Sequence, residues 1–321
     1  MTCDRRRADT STYWSSAIVA TCTRRPDAPQ ASDTRSTLEI IAAYLQSSDD
    51  SDEADLLAIV QYRGGPEEFR AGLALLASSD SRERVAGADI LGQLGWQDRT
   101  FLEESVDALL RALRDPVDEV VLSAIFALGH RESPRAIEAL LPFVEHPCAD
   151  LRYASVHGLM PHDTPTVVDA LIRLSRDADR DVRDWATFTL GSQFESDSPS
   201  LRAALHERLT DADPEIRGEA LRGLARRRDT GIASVVQHEL EGEFHGDWAV
   251  EAAELLCDPQ SCRPSDGFTS ASTVRMPYIF GEACRAQLRH VRVVEPVTAR
   301  LCNSEQPHVG NLTDLRYVAP L

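Results

Sequence analysis

Four stretches of this chain can be written beneath one another: residues 115–129, 146–159, 177–191 and 211–224. Each opens on an acid or polar cap, places an aliphatic residue five positions later and often an arginine next. A small residue follows four after the aliphatic, and a leucine four after that. The aliphatic anchors are Val120, Leu151, Val182 and Ile216, so the period is 31 to 34 residues. Weaker copies around Val85 and Trp248 bring the number of units to six. A unit this short cannot bury its own apolar face, so copies must stack on one another and each touches only its neighbours.

Within each unit an earlier apolar stripe precedes the aligned segment, such as Ala136, Ile137, Leu140, Leu141 and Val144, or Val167, Val168, Leu171, Ile172 and Leu174. That spacing is one face of an α-helix, which makes the unit a helical hairpin. Ser133-Pro134, Thr164-Pro165, Ser198-Pro199, Asp115-Pro116 and Asp213-Pro214 pair a capping side chain with a proline at the first helical position, where a missing N–H costs nothing. Gly95, Gly129 and Gly191 fall where the second helix is expected to stop. Small residues midway along the second helix, Ser123, Ala124, Ala154, Ser155, Ala186 and Ala220, permit close helix approach. The expected fold is therefore all-α, a right-handed α-solenoid of about six hairpins with irregular termini. It spans residues 33–260 and opens with a capping helix pair from Ser36 to Arg63, whose apolar face is Leu38, Ile41, Leu45, Leu56, Leu57 and Val60 and whose turn is Asp49 to Glu53. Residues 1–32 and 261–321 lose the period and are expected to be largely disordered, with Val291 to Val294 a short strand candidate.

The pattern Asp-x-x-x-x-Val-Arg-x-x-Ala-x-x-x-Leu-Gly, best developed in Asp177–Gly191 and Asp211–Ala225, resembles the HEAT repeat, in the bacterial form grouped with phycobilin-lyase-like repeats. The resemblance covers residues 66 to 257. It implies that Asp177 with Arg183, and Asp211 with Arg217, belong to a structural ladder between adjacent hairpins. It also implies that the second helices line a concave face, onto which Phe126, Tyr153, His157, Asp184, Phe188, Glu219 and Arg222 project.

Charge and composition narrow the chemistry. The formal net charge is −18, and both termini are slightly basic, so the middle of the chain is more acidic still. Such a surface repels a phosphate backbone and anionic headgroups, which argues against nucleic acid and membranes as partners. All 34 basic residues are arginine, so chemistry that needs an ε-amine is excluded. The seven cysteines include no Cys-x-x-Cys pair, and no zinc site or disulfide framework is suggested. Arg5 to Arg7 precede an apolar stretch too short and interrupted for a secretory signal, so the cytoplasm is expected.

Three enzyme readings compete with a binding surface. Deoxyhypusine hydroxylases resemble this chain in being HEAT solenoids with iron held between His-Glu pairs. Here His206-Glu207 and His238-Glu239 lie on first helices rather than second ones, where solvated positions explain them better. Trp185 beside Asp184 is superficially similar to the pairing in alkylpurine DNA glycosylases, but the net charge opposes DNA binding and core filling accounts for the ring. A phycobilin lyase is similar in repeat type only, and Cys148 reads as a small buried hydrophobe. The expectation is a protein-binding scaffold or adaptor without catalytic residues, metal or cofactor, monomeric, whose acidic concave face takes a basic or amphipathic protein or peptide. The alternative is a metal-dependent hydroxylase, or a lyase-like enzyme or accessory, on the same scaffold.

Overall fold

The computed structural model describes residues 33–47, 50–95, 98–241 and 247–257. The expectations for residues 1–32 and 261–321, including the strand at Val291 to Val294, lie outside the described residues. Two units divide the chain, 1–252 and 253–321, and of the second only residues 253–257, the end of a helix, are described.

Among the described residues all regular structure is helical, with 14 α-helices and no strand. In chain order they are α1 (Thr37–Gln46), α2 (Asp50–Arg63), α3 (Pro66–Leu76), α4 (Ser81–Gln93), α5 (Leu102–Ala112), α6 (Asp118–Arg131), α7 (Ile137–Leu140), α8 (Ala149–Leu159), α9 (Pro165–Leu174), α10 (Arg180–Phe188), α11 (Pro199–Arg208), α12 (Pro214–Arg226), α13 (Ala233–Glu241) and α14 (Asp247–Cys257). Helix α7 is the centre of a broken first helix. A 3-10 turn over Pro134–Ala136 precedes it and another over Leu141–Glu145 follows. Pro142 lacks the N–H that the α-ladder would use there. Consecutive helices pair as hairpins, and second helices pack in chain order, α4 on α6, α6 on α8, α8 on α10 and α10 on α12. The fold is thus the expected α-solenoid.

Local chemistry sets the boundaries. Thr164 and Ser198 accept hydrogen bonds from the N–H groups of Val167 and Leu201, and Asp213 from those of Glu215 and Ile216, each one ahead of a proline. Ser36 and Glu39 form a reciprocal capping box at α1. Asp115 differs from the expectation. Its carboxylate takes the Val117 N–H at 3.0 Å but α6 begins only at Asp118, and Ser133 makes no side-chain cap. In the capping pair the turn is shorter than expected, since Asp50 already begins α2, and Leu38 points outward at 68% exposure while Ile40, Ile41 and Tyr44 face the core.

The anchors Val120, Leu151, Val182 and Ile216 are fully or almost fully buried, as are Ala124, Ala154, Ala186 and Ala220 beside them. Each buried aliphatic contributes about 1.5–3 kcal/mol relative to exposure. Val85 is only half-buried, and the core of α4 is formed instead by Ala86, Ile90 and Leu91, so the first weak repeat is out of phase with the sequence alignment. Of the three glycines expected to end helices only Gly95 does so, with φ of +59°. Gly129 lies within α6, and Gly191 lies in a π-helical turn, Thr189–Gln193, that prolongs α10. Gly191 and Gly223 serve close approach: a Cβ on Gly223 would lie 2.5 Å from the Gly191 Cα.

Candidate functional site

Two sets of side chains line the second helices. The first is an arginine–aspartate ladder along the turns. Arg84 pairs with Asp115 at 2.7 Å, Arg152 with Asp177 at 2.6 Å and Arg183 with Asp211 at 2.9 Å. Each guanidinium offers Nε and Nη2 to the two carboxylate oxygens, a fork geometry, while its Nη1 donates to carbonyls in the turn of its own hairpin, just ahead of the second helix. The expected residues Asp177, Arg183, Asp211 and Arg217 all lie in this row, but the pairing crosses hairpins: Arg183 reaches the Asp211 carboxylate of the next unit and only the carbonyl of Asp177 in its own. Arg217 likewise donates to the Asp211 carbonyl at 2.8 Å. Arg152 and the Arg84–Asp115 rung complete the row and were not singled out from the sequence. These pairs are largely buried rather than solvated, with Asp211 at 6% and Arg183 at 17% exposure. The Arg84 hydrogen bonds hold the Asp115 carboxyl below its ordinary pKa.

At the opposite helix ends, two arginines cap backbone instead of acids. Arg131, 2% exposed, donates to the carbonyls of Leu91 and Leu94 at 2.6 and 2.9 Å, and to the Ser105 hydroxyl. Arg227 reaches the carbonyls of Leu190, Gly191, Phe194 and Ser196. Arg131 is the last residue of α6 and Arg227 directly follows α12, and each satisfies orphan carbonyls at the end of the preceding second helix, where the helix dipole is negative.

The second set is aromatic. Phe126 on α6, Tyr153 and His157 on α8, and Trp185 and Phe188 on α10 form one continuous cluster across three hairpins. His157 lies 5.2 Å from Phe126, 4.7 Å from Tyr153 and 4.5 Å from Trp185, measured between ring centroids, and Trp185 meets Phe188 edge-on at 5.5 Å. Such pairs add about 0.5–1.5 kcal/mol each beyond their burial. Tyr153, His157, Trp185 and Phe188 are half-buried, as a shared surface requires. Burial among rings lowers the His157 pKa to about 3, so the imidazole is neutral near pH 7, and its Nε2 is enclosed without a hydrogen-bond partner.

The remaining expected site residues divide. Asp184 sits beside Trp185 and is 3.5 Å from Arg180. Arg222 is half-buried and pairs with Glu251 at 2.9 Å. Phe126 is not a surface residue: at 3% exposure it forms the floor beneath Tyr153 and His157. Glu219 does not project either, being 2% exposed and accepting the Ser192 hydroxyl at 3.1 Å. Trp185, read from the sequence as core filling, is instead part of the open cluster. The first His-Glu pair is otherwise engaged. The His206 Nε2 lies 3.0 Å from Asp229, and Glu207 accepts from Arg176 at 2.6 Å. His238 is exposed. Among the described residues no three His, Cys, Asp or Glu side chains are grouped to hold a metal, and no helix is long and apolar enough to cross a membrane.

Comparison with known proteins accords with this geometry. Residues 106–191 and 168–241 match the HEAT repeats, and residues 83–115 match the PBS lyase HEAT-like repeat. Protein YibA of Escherichia coli (strain K12) is 29% identical over 208 residues, covering 62% of this chain and 73% of YibA. The X-ray structure of E. coli YibA aligns with a TM-score of 0.60 at 23% identity over 82% of this chain and 89% of that one. An archaeal HEAT-like repeats protein from Thermococcus onnurineus NA1 aligns with a TM-score of 0.46 at 17% identity, over 70% and 97%. Hairpins stack in chain order, ladder rungs join three pairs of successive hairpins, and residues 83–241 are identified as HEAT repeats by continuous matches to the HEAT and PBS lyase HEAT-like repeats.

Proposed function

We propose that this HEAT stack is a protein-binding scaffold or adaptor, a cytoplasmic monomer working through residues 33–260, and that its docking surface is the face of α6, α8 and α10. The observation that carries the reading is the aromatic cluster. Rings of Tyr153, His157, Trp185 and Phe188 are left partly open where a helix array has every opportunity to bury them. Large aromatics supply most of the affinity of protein interfaces, and the acidity of the chain steers a basic or amphipathic partner toward them. The test is affinity capture from the native host, with wild type beside the Tyr153→Ala/Phe188→Ala double variant. The reading expects a partner retained by wild type and lost by the variant at unchanged helicity. Identical capture profiles would remove the face from consideration.

A further inference from the structure

Second helices meet at four joints between α4 and α12, and three of these carry a ladder rung near the helix starts: Arg84 with Asp115 for α4/α6, Arg152 with Asp177 for α8/α10, and Arg183 with Asp211 for α10/α12. The α6/α8 joint has none. Val121 stands where the arginine of α6 would, one residue after the anchor Val120, and His146 stands where the aspartate of the following turn would. His146 keeps only the local half of the acid's work. Its Nδ1 accepts the N–H two residues on, at 3.2 Å, as the carboxylates of Asp115, Asp177 and Asp211 do, but it brings no carboxylate for a guanidinium, and Val121 brings no guanidinium.

Toward their other ends α6 and α8 touch backbone to backbone. A Cβ on Gly129 would lie 2.9 Å from the His157 carbonyl oxygen and 3.0 Å from the Gly158 Cα. The α4/α6 and α10/α12 joints have the same kind of contact, Gly92 against Ala127 and Gly191 against Gly223, but each has a rung as well. The first helices hold the α6/α8 joint weakly. Helix α7 is flanked by 3-10 turns, and Arg135, which ties it to Glu103 and Asp107 of α5, is half-exposed, so water screens both pairs.

We infer that the α6/α8 joint is where this stack yields, the two helices pivoting on Gly129 and Gly158 and parting toward their starts. Phe126 is the ring this motion uncovers. It lies on α6, three residues before the pivot, and is 3% exposed because Tyr153 and His157 of α8 cover it. Packed interfaces move between discrete arrangements, so the joint has a closed state, with Phe126 as floor, and an open state that adds its ring to the face. The motion itself needs no partner; only its use rests on the docking reading above.

Hydroxyl-radical footprinting of the full chain, read residue by residue by mass spectrometry, measures which side chains meet solvent. Phe194 is the reference: it is 2% exposed, has the same ring chemistry, and lies at the clamped α10/α12 joint, where Arg227 holds its carbonyl. Phe126 is expected to be modified about ten-fold or more faster than Phe194, the factor by which a missing forked pair shifts a local opening equilibrium. The Val121→Arg/His146→Asp variant, which restores the rung, is expected to bring Phe126 down to the Phe194 rate and leave Phe194 unchanged. Equal protection of the two rings in wild type, or undiminished modification of Phe126 in the folded variant, overturns the inference. The wild-type comparison needs no substitution, so a variant that folds poorly does not blunt it. Because the measurement is made on the protein alone, its failure leaves the docking face to be judged by partner capture with Tyr153→Ala/Phe188→Ala.

Discussion

Two positions on the second helices, five residues apart, behave in opposite ways. The first holds Arg84, Arg152, Arg183 and Arg217 in four hairpins, and three of these clasp the aspartate of the hairpin that follows. The second holds Asp89, His157, Phe188 and Arg222 in the same hairpins. A side chain that recurs at one phase in four hairpins, with Val121 of α6 the exception, answers a demand that interfaces in a stack share, namely holding the next hairpin at a fixed angle. A side chain that changes from unit to unit answers something outside the stack. Stability should therefore follow the recurring position and its carbonyl-capping counterparts, and recognition the varying one.

That division can be broken by substitution. The largest stability loss is expected for Arg131→Met, which strips the donors from two buried carbonyls at about 1–3 kcal/mol each; denaturant unfolding measures it. Next comes Tyr153→Ala/Phe188→Ala, expected to lower partner affinity about 1,000-fold, because two hot-spot rings supply roughly 2 kcal/mol or more each, while costing the fold only their ring pairs, about 0.5–1.5 kcal/mol each. Arg183→Ala should do the reverse. It removes a forked, largely buried pair worth about 1.5–3 kcal/mol of stability and leaves partner affinity within about two-fold. A ladder variant that abolished binding at full stability would merge the two categories.

Acid provides a graded test. Burial depresses His157 to about 3 and His130 to about 4, against an unfolded value of 6.5. Between these limits the unfolded chain binds more protons, so the stability these residues contribute is present above pH 6.5. It falls with pH by up to about 1.4 kcal/mol per unit for each group. Replacing His157 by Phe should flatten that slope in urea titrations run from pH 7 to 4. Asp115, held low by Arg84, keeps its contribution above the ordinary carboxylate value and loses it only below, so ladder and cluster respond in different windows. The smallest effect is expected for Arg135→Ala, whose pairs with Glu103 and Asp107 are half solvent-exposed. Its unfolding midpoint should match wild type within error.

How far the sequence could be read follows from the same contrast. Periodicity revealed the hairpins because burial of Val120, Leu151, Val182 and Ile216 is a local demand written at a fixed phase. It misplaced Val85, since the first repeat keeps its ladder arginine, Arg84, but carries Glu83 where the others carry an aliphatic anchor. Glu219 and Trp185 exchanged roles for a steric reason. They occupy the same phase, three residues after the anchor, a slot that swallows Ser123, Ala154 and Glu219 but cannot enclose an indole. Phe126 was placed at the right phase and on the right face, yet the rings of the next hairpin cover it, a neighbour effect that one hairpin's pattern does not encode. The misread glycines share that cause, because Gly191 is fixed by its contact with Gly223 one hairpin away.

The ring cluster joins α6, α8 and α10, and so belongs to three hairpins at once. In a quasi-one-dimensional assembly, opening spreads from unit to neighbouring unit. Anything seated across those rings therefore acts as a splint, and amide exchange should slow not only beneath the contact but also in the flanking hairpins that would otherwise unzip toward it.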